Sequence, residues 1–429
     1  MQMKKTLSII LLFLYAVLNM AFLYGQDSLY ARNVITTLSS PEFHGRGYAF
    51  KGDSIAAEYI RNEYKNHHLK ELIPNYFQHY TVPVHIYENN VDADFGKSYP
   101  SSTFSDILQV LPFSPSVQGE FSIVKASKKV LKQNGSTSKT KDKFVCLDFS
   151  KMKKETKEQW KRVIYENPLG AKGYVLLQDK MPSFSPAYGN LPRTHSVVYL
   201  LKDSVKHPLK TVKLNIETEF VGKYNTQNIC GYVEGKLYPD SFFVIGAHYD
   251  HLGRMGKQHY FPGANDNASG IALLLDLARH YNQPENQPDY SIAFLAFSGE
   301  EVGLLGSFHY VEHPLFPLEN IKTMINLDMV GTGENGFAFV CGIPFAEEYK
   351  KFESLNNEKN YAPKLRQGEA SKNSDHYPFY EKGCTTFFIF GMGKSGRYHH
   401  SSDALENLSM GGYKNLFRLL SDYINLHNK

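Results

Sequence analysis

The stretch FFVIGAHYDH, residues 242–251, sets the expectation for the C-terminal half of the chain. Its first six residues are continuously apolar, which is typical of a strand buried on both faces of a sheet. Two histidines and an aspartate follow directly. In open α/β sheets, functional side chains gather beyond the carboxyl ends of the strands. The stretch therefore predicts a central strand that delivers polar side chains to a site at its carboxyl end.

The sequence around this stretch alternates between strand and helix patterns. Further strands are predicted at residues 291–297 (SIAFLAF), 323–327 and 386–390. Apolar residues at helical spacing predict helices at residues 270–281, 303–312 and 412–426. Buried strands that alternate with amphipathic helices are typical of α/β proteins. We therefore expect a three-layer α/β sandwich with a largely parallel, mixed central sheet.

The N-terminal half has a different pattern of predicted helices and strands. Residues 27–84 predict a helix, a loop and a second helix. Between residues 87 and 221, short apolar segments alternate with loops and one helical segment, which predicts a small inserted α+β domain. The expected division is a signal peptide at 1–25, an N-terminal helical part of the main domain at 26–86, the inserted domain at 87–221 and the main domain at 222–429.

Composition excludes several classes of protein. Of the 429 residues, 42% are hydrophobic and 14% aromatic, which favours a substantial core over disorder. The net charge of +4 is small for this length, so we expect no nucleic-acid partner. The four cysteines are far apart and form no CxxC pair, which excludes a zinc ribbon. Their disulfide state is left open.

The N-terminus carries a targeting pattern. Lys4 and Lys5 precede an apolar run at residues 7–23, and polar sequence begins at Gln26. This order predicts a cleaved secretory signal, and therefore a secreted or periplasmic protein. An uncleaved membrane anchor is the alternative, because the run approaches the length that spans a bilayer. No other segment predicts membrane contact.

Residues of the metal-ligand type recur in five short segments near predicted strand ends. These segments are AHYDH at 247–251, GANDNASG at 263–270, SGEEVG at 298–303, NLDMVG at 326–331 and YHHSSD at 398–403. Taken singly, each has an ordinary explanation, such as a hydrogen-bonded histidine, a solvated glutamate pair or an aspartate cap. If these residues had only structural roles, five segments of one sheet would each have acquired ligand-type residues independently. Together the segments predict one functional site.

In order and spacing, these segments resemble those of metallopeptidase family M28, which includes bacterial leucyl aminopeptidases. The resemblance extends from about residue 226 to residue 428. It implies that His248 and Asp328 bind one zinc ion and that Glu301 and His399 bind a second. Asp266 would bridge the two ions, because two nearby cations need a shared carboxylate between them.

The resemblance also implies the catalytic groups. Catalytic zinc keeps a position open for water and lowers the pKa of that water to about 7. Glu300 would be the general base that takes the proton from this water and passes it to the leaving amine. Asp250 would orient His248 from behind. Asp375 lies in a family-like segment, where it either shapes a loop or contacts the substrate.

The choice between two adjacent histidines rests on the motif. Only one of His399 and His400 is expected to reach a metal ion. Placing the family's YHxxxD pattern on Tyr398 and Asp403 selects His399.

The activity implied by the resemblance is that of an exported di-zinc aminopeptidase acting on peptide or protein substrates. The inserted region is similar to a protease-associated domain, notably in GAKGYVLLQD at residues 170–179. Two alternatives stay open: a single-zinc acyltransferase like glutaminyl cyclase, and a non-catalytic binding ectodomain on the same scaffold. The complete set of ligand-type residues and Glu300 argue against the second. The oligomeric state is left open.

Overall fold

The computed structural model describes residues 28–126, 139–186 and 193–428, so the predicted signal segment lies outside the described residues. Within these ranges, no helix combines the length and the apolar character needed to cross a membrane.

The helices and strands are numbered in chain order. The helices are α1 Ser28–Leu38, α2 Gly52–Asn66, α3 Lys154–Glu166, α4 Ser269–Tyr281, α5 Leu305–Glu312, α6 Ala346–Lys359, α7 His376–Glu381 and α8 Tyr413–Asn425. The first nine strands are β1 Lys70–Glu71, β2 Phe77–Ile86, β3 Val91–Asp94, β4 Leu108–Val110, β5 Val117–Lys125, β6 Phe144–Asp148, β7 Gly173–Gln178, β8 Ser196–Leu201 and β9 Thr211–Ile216. The others are β10 Glu219–Val233, β11 Tyr238–His248, β12 Arg254–Met255, β13 His259–Tyr260, β14 Tyr290–Phe297, β15 Ile321–Leu327, β16 Phe337–Val340, β17 Leu365–Gln367 and β18 Thr386–Gly391.

A nine-stranded sheet forms the centre of the main part, in the order β1-β10-β14-β11-β15-β18-β16-β17, with β2 also paired to β10. Its four middle strands, β14, β11, β15 and β18, run parallel. Antiparallel pairs attach β10 on one side and β16 on the other. Four parallel strands align their carboxyl ends along one edge, which is where the ligand-type residues follow them.

Helices cover both faces of this sheet because its strands are apolar on both sides. Along β14, Ile292, Phe294 and Ala296 pack into one core with residues of α1, α2, α4, α6 and α8. The alternate residues Ala293 and Leu295 pack into a second core with residues of α5 and α7. The predicted three-layer α/β sandwich with a mixed central sheet is therefore confirmed.

The segment between β2 and β10 forms a second sheet of seven strands, in the order β3-β9-β5-β6-β7-β8-β4. Residues 91–216, called the insert below, contain this sheet. Trp160 and Ile164 of α3 pack against it. The predicted division into domains stays a prediction.

The N-terminal expectation missed one element. Residues 77–86 were expected at the end of a helical region, but they form β2, which pairs with β10. Strand β10 lies more than 130 residues away in the sequence, so a local pattern could not supply this partner. The four cysteines are unbridged.

Candidate metal centre

The carboxyl ends of the middle strands bring the ligand-type residues together. His248 is the last residue of β11, which lies between β14 and β15. Glu300 and Glu301 follow β14, and Asp328 follows β15 directly. Strand register alone therefore places the ends of three adjacent strands side by side.

Asp266 lies at the middle of this group, in the turn that leads into α4. Its Oδ1 is 3.4 Å from His248 Nε2, and its Oδ2 is 3.3 Å from His399 Nε2. His248 Nε2 is also 3.4 Å from Asp328 Oδ1, and His399 Nε2 is 3.2 Å from Glu301 Oε2. The two oxygens of one carboxylate thus face two separate pairs of ligand-type atoms.

The hydrogen-bonding state of these atoms fits metal ions. All five side chains are at most 9% exposed. Asp266 Oδ2, Asp328 Oδ1 and His399 Nε2 are buried and have no hydrogen-bond partner. Buried polar atoms are normally satisfied, so such atoms converging at ion-pair distances fit a site that binds a cation. Imidazole nitrogens with carboxylate oxygens form a donor set suited to zinc.

Both histidines are held in the tautomer that a metal requires. The Nδ1–H of His248 donates to the backbone carbonyl of Asp250 at 3.0 Å. The Nδ1–H of His399 donates to the carbonyl of Phe184 at 2.6 Å. Donation from Nδ1 leaves the lone pair on Nε2, which in each ring faces the carboxylates.

Asp250, which was predicted to orient His248, also contacts Glu300 and Tyr48. Its Oδ1 is 3.8 Å from His248 Nδ1, farther than its own carbonyl. The carboxylate accepts the backbone N–H of Glu300 at 3.2 Å and the hydroxyl of Tyr48 at 3.3 Å. Burial raises the pKa of Asp250 to about 7. The carboxylate of Asp250 therefore orients the backbone at Glu300, whereas the backbone carbonyl of Asp250 orients the ring of His248.

Glu300 lies in a different environment from Glu301. Burial raises the pKa of Glu300 well above its usual range, while His248 opposes this shift. Burial also disfavours the ionised form of Glu301, but His399 and His251 hold its pKa well below the usual range. Two adjacent glutamates are thus divided into one that binds protons strongly and one that stays ionised.

Several known proteins resemble this chain in sequence. Residues 228–424 match the model of peptidase family M28. Aminopeptidase YwaD of Bacillus subtilis is 31% identical over 265 residues, which cover 56% of this chain and 53% of that protein. The match to the family model places residues 228–424 in peptidase family M28. A probable zinc metalloprotease of Pyrenophora tritici-repentis is 31% identical over 200 residues, which cover 38% of this chain and 45% of that protein. The matches span about half the length of these curated relatives.

Solved structures share the fold. The crystal structure of a zinc aminopeptidase from Bacillus subtilis matches with a TM-score of 0.68 at 21% identity, covering 94% of this chain and 96% of that one. A peptidase M28 precursor from Shewanella amazonensis matches with a TM-score of 0.67 at 15% identity, covering 94% and 93%. The fold of these solved structures extends over nearly the whole chain. The family resemblance inferred from the five motifs is confirmed by the match of residues 228–424 to the family model.

The M28 motifs did not reveal the role of His251. Its Nδ1–H donates to Glu301 Oε1 at 2.7 Å, and it lies 3.8 Å from Asp266 Oδ2. Single atoms of His251, Asp266 and Glu301 lie within 4.8 Å of one another, as do those of His248, Asp266 and Asp328. The Nδ1–H of His251 is used in a hydrogen bond to Glu301. By contrast, Nε2 of His399 has no hydrogen-bond partner and faces the carboxylates of Asp266 and Glu301. We therefore assign His251 to orienting Glu301.

Arg46 is the second residue whose role the sequence did not reveal. Its side chain is fully buried. The guanidinium donates to five backbone carbonyls, those of Tyr249, Leu38, Pro262, Gly263 and Asp266. These bonds tie the N-terminal loop to the end of β11 and to the Asp266 turn. Burial lowers the pKa of Arg46 to about 10, so it stays charged at neutral pH.

The residues around Asp328 and Asp375 form a hydrogen-bonded group. Ser374 donates to Asp328 Oδ2 at 2.7 Å and accepts from the side-chain amide of Asn326. Asp375 is fully buried, and its Oδ1 accepts from Ser307 at 2.5 Å. The segment with Asp375 thus lies beside the metal centre, where Ser374 orients Asp328.

His400 points away from the carboxylates. Its Nε2 is 3.2 Å from Asp106 of the insert, and its Nδ1 bonds with Ser402. The structure therefore brings His399, and not His400, to the group of candidate ligands.

Proposed function

We propose that this chain is an exported di-zinc aminopeptidase of family M28. The observation that carries the proposal is the two-sided placement of Asp266, whose oxygens face His248 on one side and His399 on the other. The names of the relatives, an aminopeptidase and a probable zinc metalloprotease, support peptide-bond hydrolysis. The basic and apolar N-terminal segment supports export.

The metal ligands divide into two sets that share Asp266. His248 and Asp328 would hold one zinc, and Glu301 and His399 the other. When bound, zinc would act as a Lewis acid on the peptide carbonyl and lower the pKa of water. Asp266, Glu301 and Asp328 are buried carboxylates that converge on one region, and buried charges are stable when they are paired or bind metal ions, so this group favours divalent cations.

Glu300 would move the proton. Its carboxylate would take a proton from the attacking water and return it to the leaving amine. Burial raises the pKa of Glu300, and a raised pKa makes the ionised carboxylate a stronger base towards the attacking water. The hydrogen bond from its backbone N–H to Asp250 fixes the backbone that carries this side chain. Glu301, beside it, stays ionised as a ligand.

The test combines metal content with substrate preference. Zinc would be measured on the purified protein by mass spectrometry, and hydrolysis compared between leucine p-nitroanilide and its N-acetylated form. We expect two zincs and a preference for the free amine. Glu300→Gln should keep both zincs and lose about 10²–10⁴-fold in kcat. The control is Glu312→Gln, which changes an exposed glutamate of α5 in the same way and should retain full activity.

Other outcomes would identify the alternatives. A single zinc together with cyclisation of N-terminal glutamine would indicate an acyltransferase like glutaminyl cyclase. Full metal occupancy without turnover of either substrate would indicate a binding ectodomain.

A further inference from the structure

The loop that carries His399 is hydrogen-bonded to the insert. The ring Nδ1–H of His399 donates to the carbonyl of Phe184, and the backbone N–H of Phe184 donates to the carbonyl of His399 at 3.3 Å. These two bonds form a reciprocal pair between residue 184 of the insert and residue 399 of the main part. The ring orientation of His399 is therefore set by a residue that belongs to neither the main sheet nor its helices.

Side chains on both sides of His399 extend the same attachment. Arg397 donates to the carbonyl of Met181 at 3.1 Å. Ser401 donates to the two oxygens of Asp106 at 2.8 and 2.7 Å, and His400 lies 3.2 Å from the same carboxylate. Asp106 and Met181 both lie in the insert. The loop at residues 397–401 is thus held at both ends as well as at its centre.

The carbonyl of Phe184 is itself anchored. The Phe184 ring is 4% exposed and stacks on Phe261 with a centroid distance of 4.9 Å. It also meets Phe104 edge-on at 5.6 Å. Aromatic pairs of this geometry contribute beyond their buried area. The position of this backbone carbonyl therefore depends on a packed aromatic cluster shared by the insert and the main part.

The other candidate ligands have different supports. The orienting partners of His248, Asp328 and Glu301 described above all lie between residues 250 and 375, outside the insert. Among the described contacts, the insert therefore acts on one side of the metal centre, the side of His399.

We propose that the insert is a positioning element for the zinc bound by Glu301 and His399. Asp106 and the Phe184 segment hold the His399 ring so that its Nε2 faces Asp266 and Glu301, which links zinc affinity at this side to the packing of the insert. The inference rests on the proposed two-zinc function. Loss of a partner that orients a metal ligand typically costs 10–100-fold in metal affinity.

The experiment measures each zinc affinity separately by competition with a chromophoric chelator. The variants are Asp106→Ala, which removes the acceptor for Ser401 and His400, and Phe184→Ala, which keeps the carbonyl but removes its aromatic anchor. We expect one zinc to weaken at least about 10-fold in each variant and the other to keep its affinity. Asp203→Ala, an exposed carboxylate of the insert outside these contacts, is the matched control and should bind both zincs normally.

A double-mutant cycle identifies the side that is affected. His399→Ala should bind one zinc, and adding Asp106→Ala to it should not weaken that zinc further, because Asp106 acts through the His399 loop. If the Ala variant of Asp106 fails to fold, Asp106→Asn keeps an acceptor for Ser401, and its zinc affinity should fall by less than 10-fold.

Two results would overturn the proposal. The first is wild-type affinity for both zincs in Asp106→Ala and Phe184→Ala. The second is equal weakening of both zincs together with a lower Tm, which would mean that the insert only stabilises the fold. A wild-type protein that binds a single zinc would contradict the two-zinc function itself, so the two failures are distinguishable.

Discussion

The two sides of the candidate metal centre are built differently. On one side, His248 ends β11 and Asp328 directly follows the adjacent parallel strand β15, and the register of the two strands pairs Gly246 with Asn326. On the other side, Glu301 stands in a turn after β14, and His399 stands on a loop held by Phe184. Strand pairing sets the first side, whereas contacts between distant loops set the second. We expect the second side to respond more strongly to changes far from the metal.

The largest effect is expected at the residue shared by both sides. Asp266→Asn removes the negative charge between the two ligand pairs, so both zincs should be lost. Loss of a residue that only orients a metal ligand lowers activity by up to roughly 100-fold. Turnover of Asp266→Asn should fall by more than this, because Asp266 is itself a ligand. Metal analysis and hydrolysis rates on the same preparation check this. Retention of one tightly bound zinc would mean that one side is complete without Asp266.

Arg46 connects the strand side to the Asp266 turn, so its loss should destabilise the whole protein. Arg46→Ala leaves carbonyls of buried segments without donors, each costing about 1–3 kcal/mol, and we expect at least about 3 kcal/mol in the free energy of unfolding. Denaturant unfolding monitored by circular dichroism measures this.

Two further variants test the explanation for Arg46. Arg46→Lys should be intermediate, because an ammonium group has fewer donors than a guanidinium. The exposed Arg162→Ala should change the free energy by less than about 0.5 kcal/mol. Equal effects of Arg46→Ala and Arg162→Ala would contradict the role of the five hydrogen bonds.

Ser374 tests the strand side alone. Ser374→Ala removes the hydrogen bond to Asp328 Oδ2, so the zinc bound by His248 and Asp328 should weaken about 10-fold while the other is unchanged. Chelator competition resolves the two affinities. Ser409→Ala, on the surface, serves as the control. Weakening of the zinc at His399 instead would mean that the two sides are not independent.

The smallest effect is expected from Asp53, which is linked through hydrogen bonds of Thr226 to Ser298. Asp53 is fully buried and accepts from Tyr224 and from Thr226, and Thr226 bonds with Ser298 ahead of Glu301. Burial raises the pKa of Asp53 to about 6. The native state therefore binds more protons than the unfolded chain between about pH 4 and pH 6, and this group's contribution to stability falls as pH rises through that window.

Asp53→Asn should remove this pH dependence. The difference in unfolding free energy between wild type and variant should decrease from pH 4 to pH 6, by at most about 1.4 kcal/mol per pH unit. Denaturant unfolding at several pH values, with a metal chelator present for both proteins, measures the difference. Parallel curves would show that Asp53 keeps an ordinary pKa in the fold.

Local patterns determined much of this protein. Continuous apolar runs predicted β11 and β14, because a strand that is buried on both faces is apolar at every position. Helical spacing of apolar residues predicted α4, because a helix that packs on one face is apolar at every third or fourth position. The five motifs also selected residues that the structure brings together, from His248 to His399. They did so because parallel strands end at a common edge, so residues after each strand are neighbours before any detail of packing is known.

Tertiary structure decided the contacts between residues that are distant in the sequence. Strand β2 exists because β10 pairs with it, and nothing within residues 77–86 names that partner. Arg46 lies more than 200 residues from most of the carbonyls that it binds, and a basic residue in a glycine-rich loop looks like an exposed one. The Phe184 carbonyl leaves no mark in the sequence at all, since every residue carries a backbone carbonyl and only the packing determines which one meets His399.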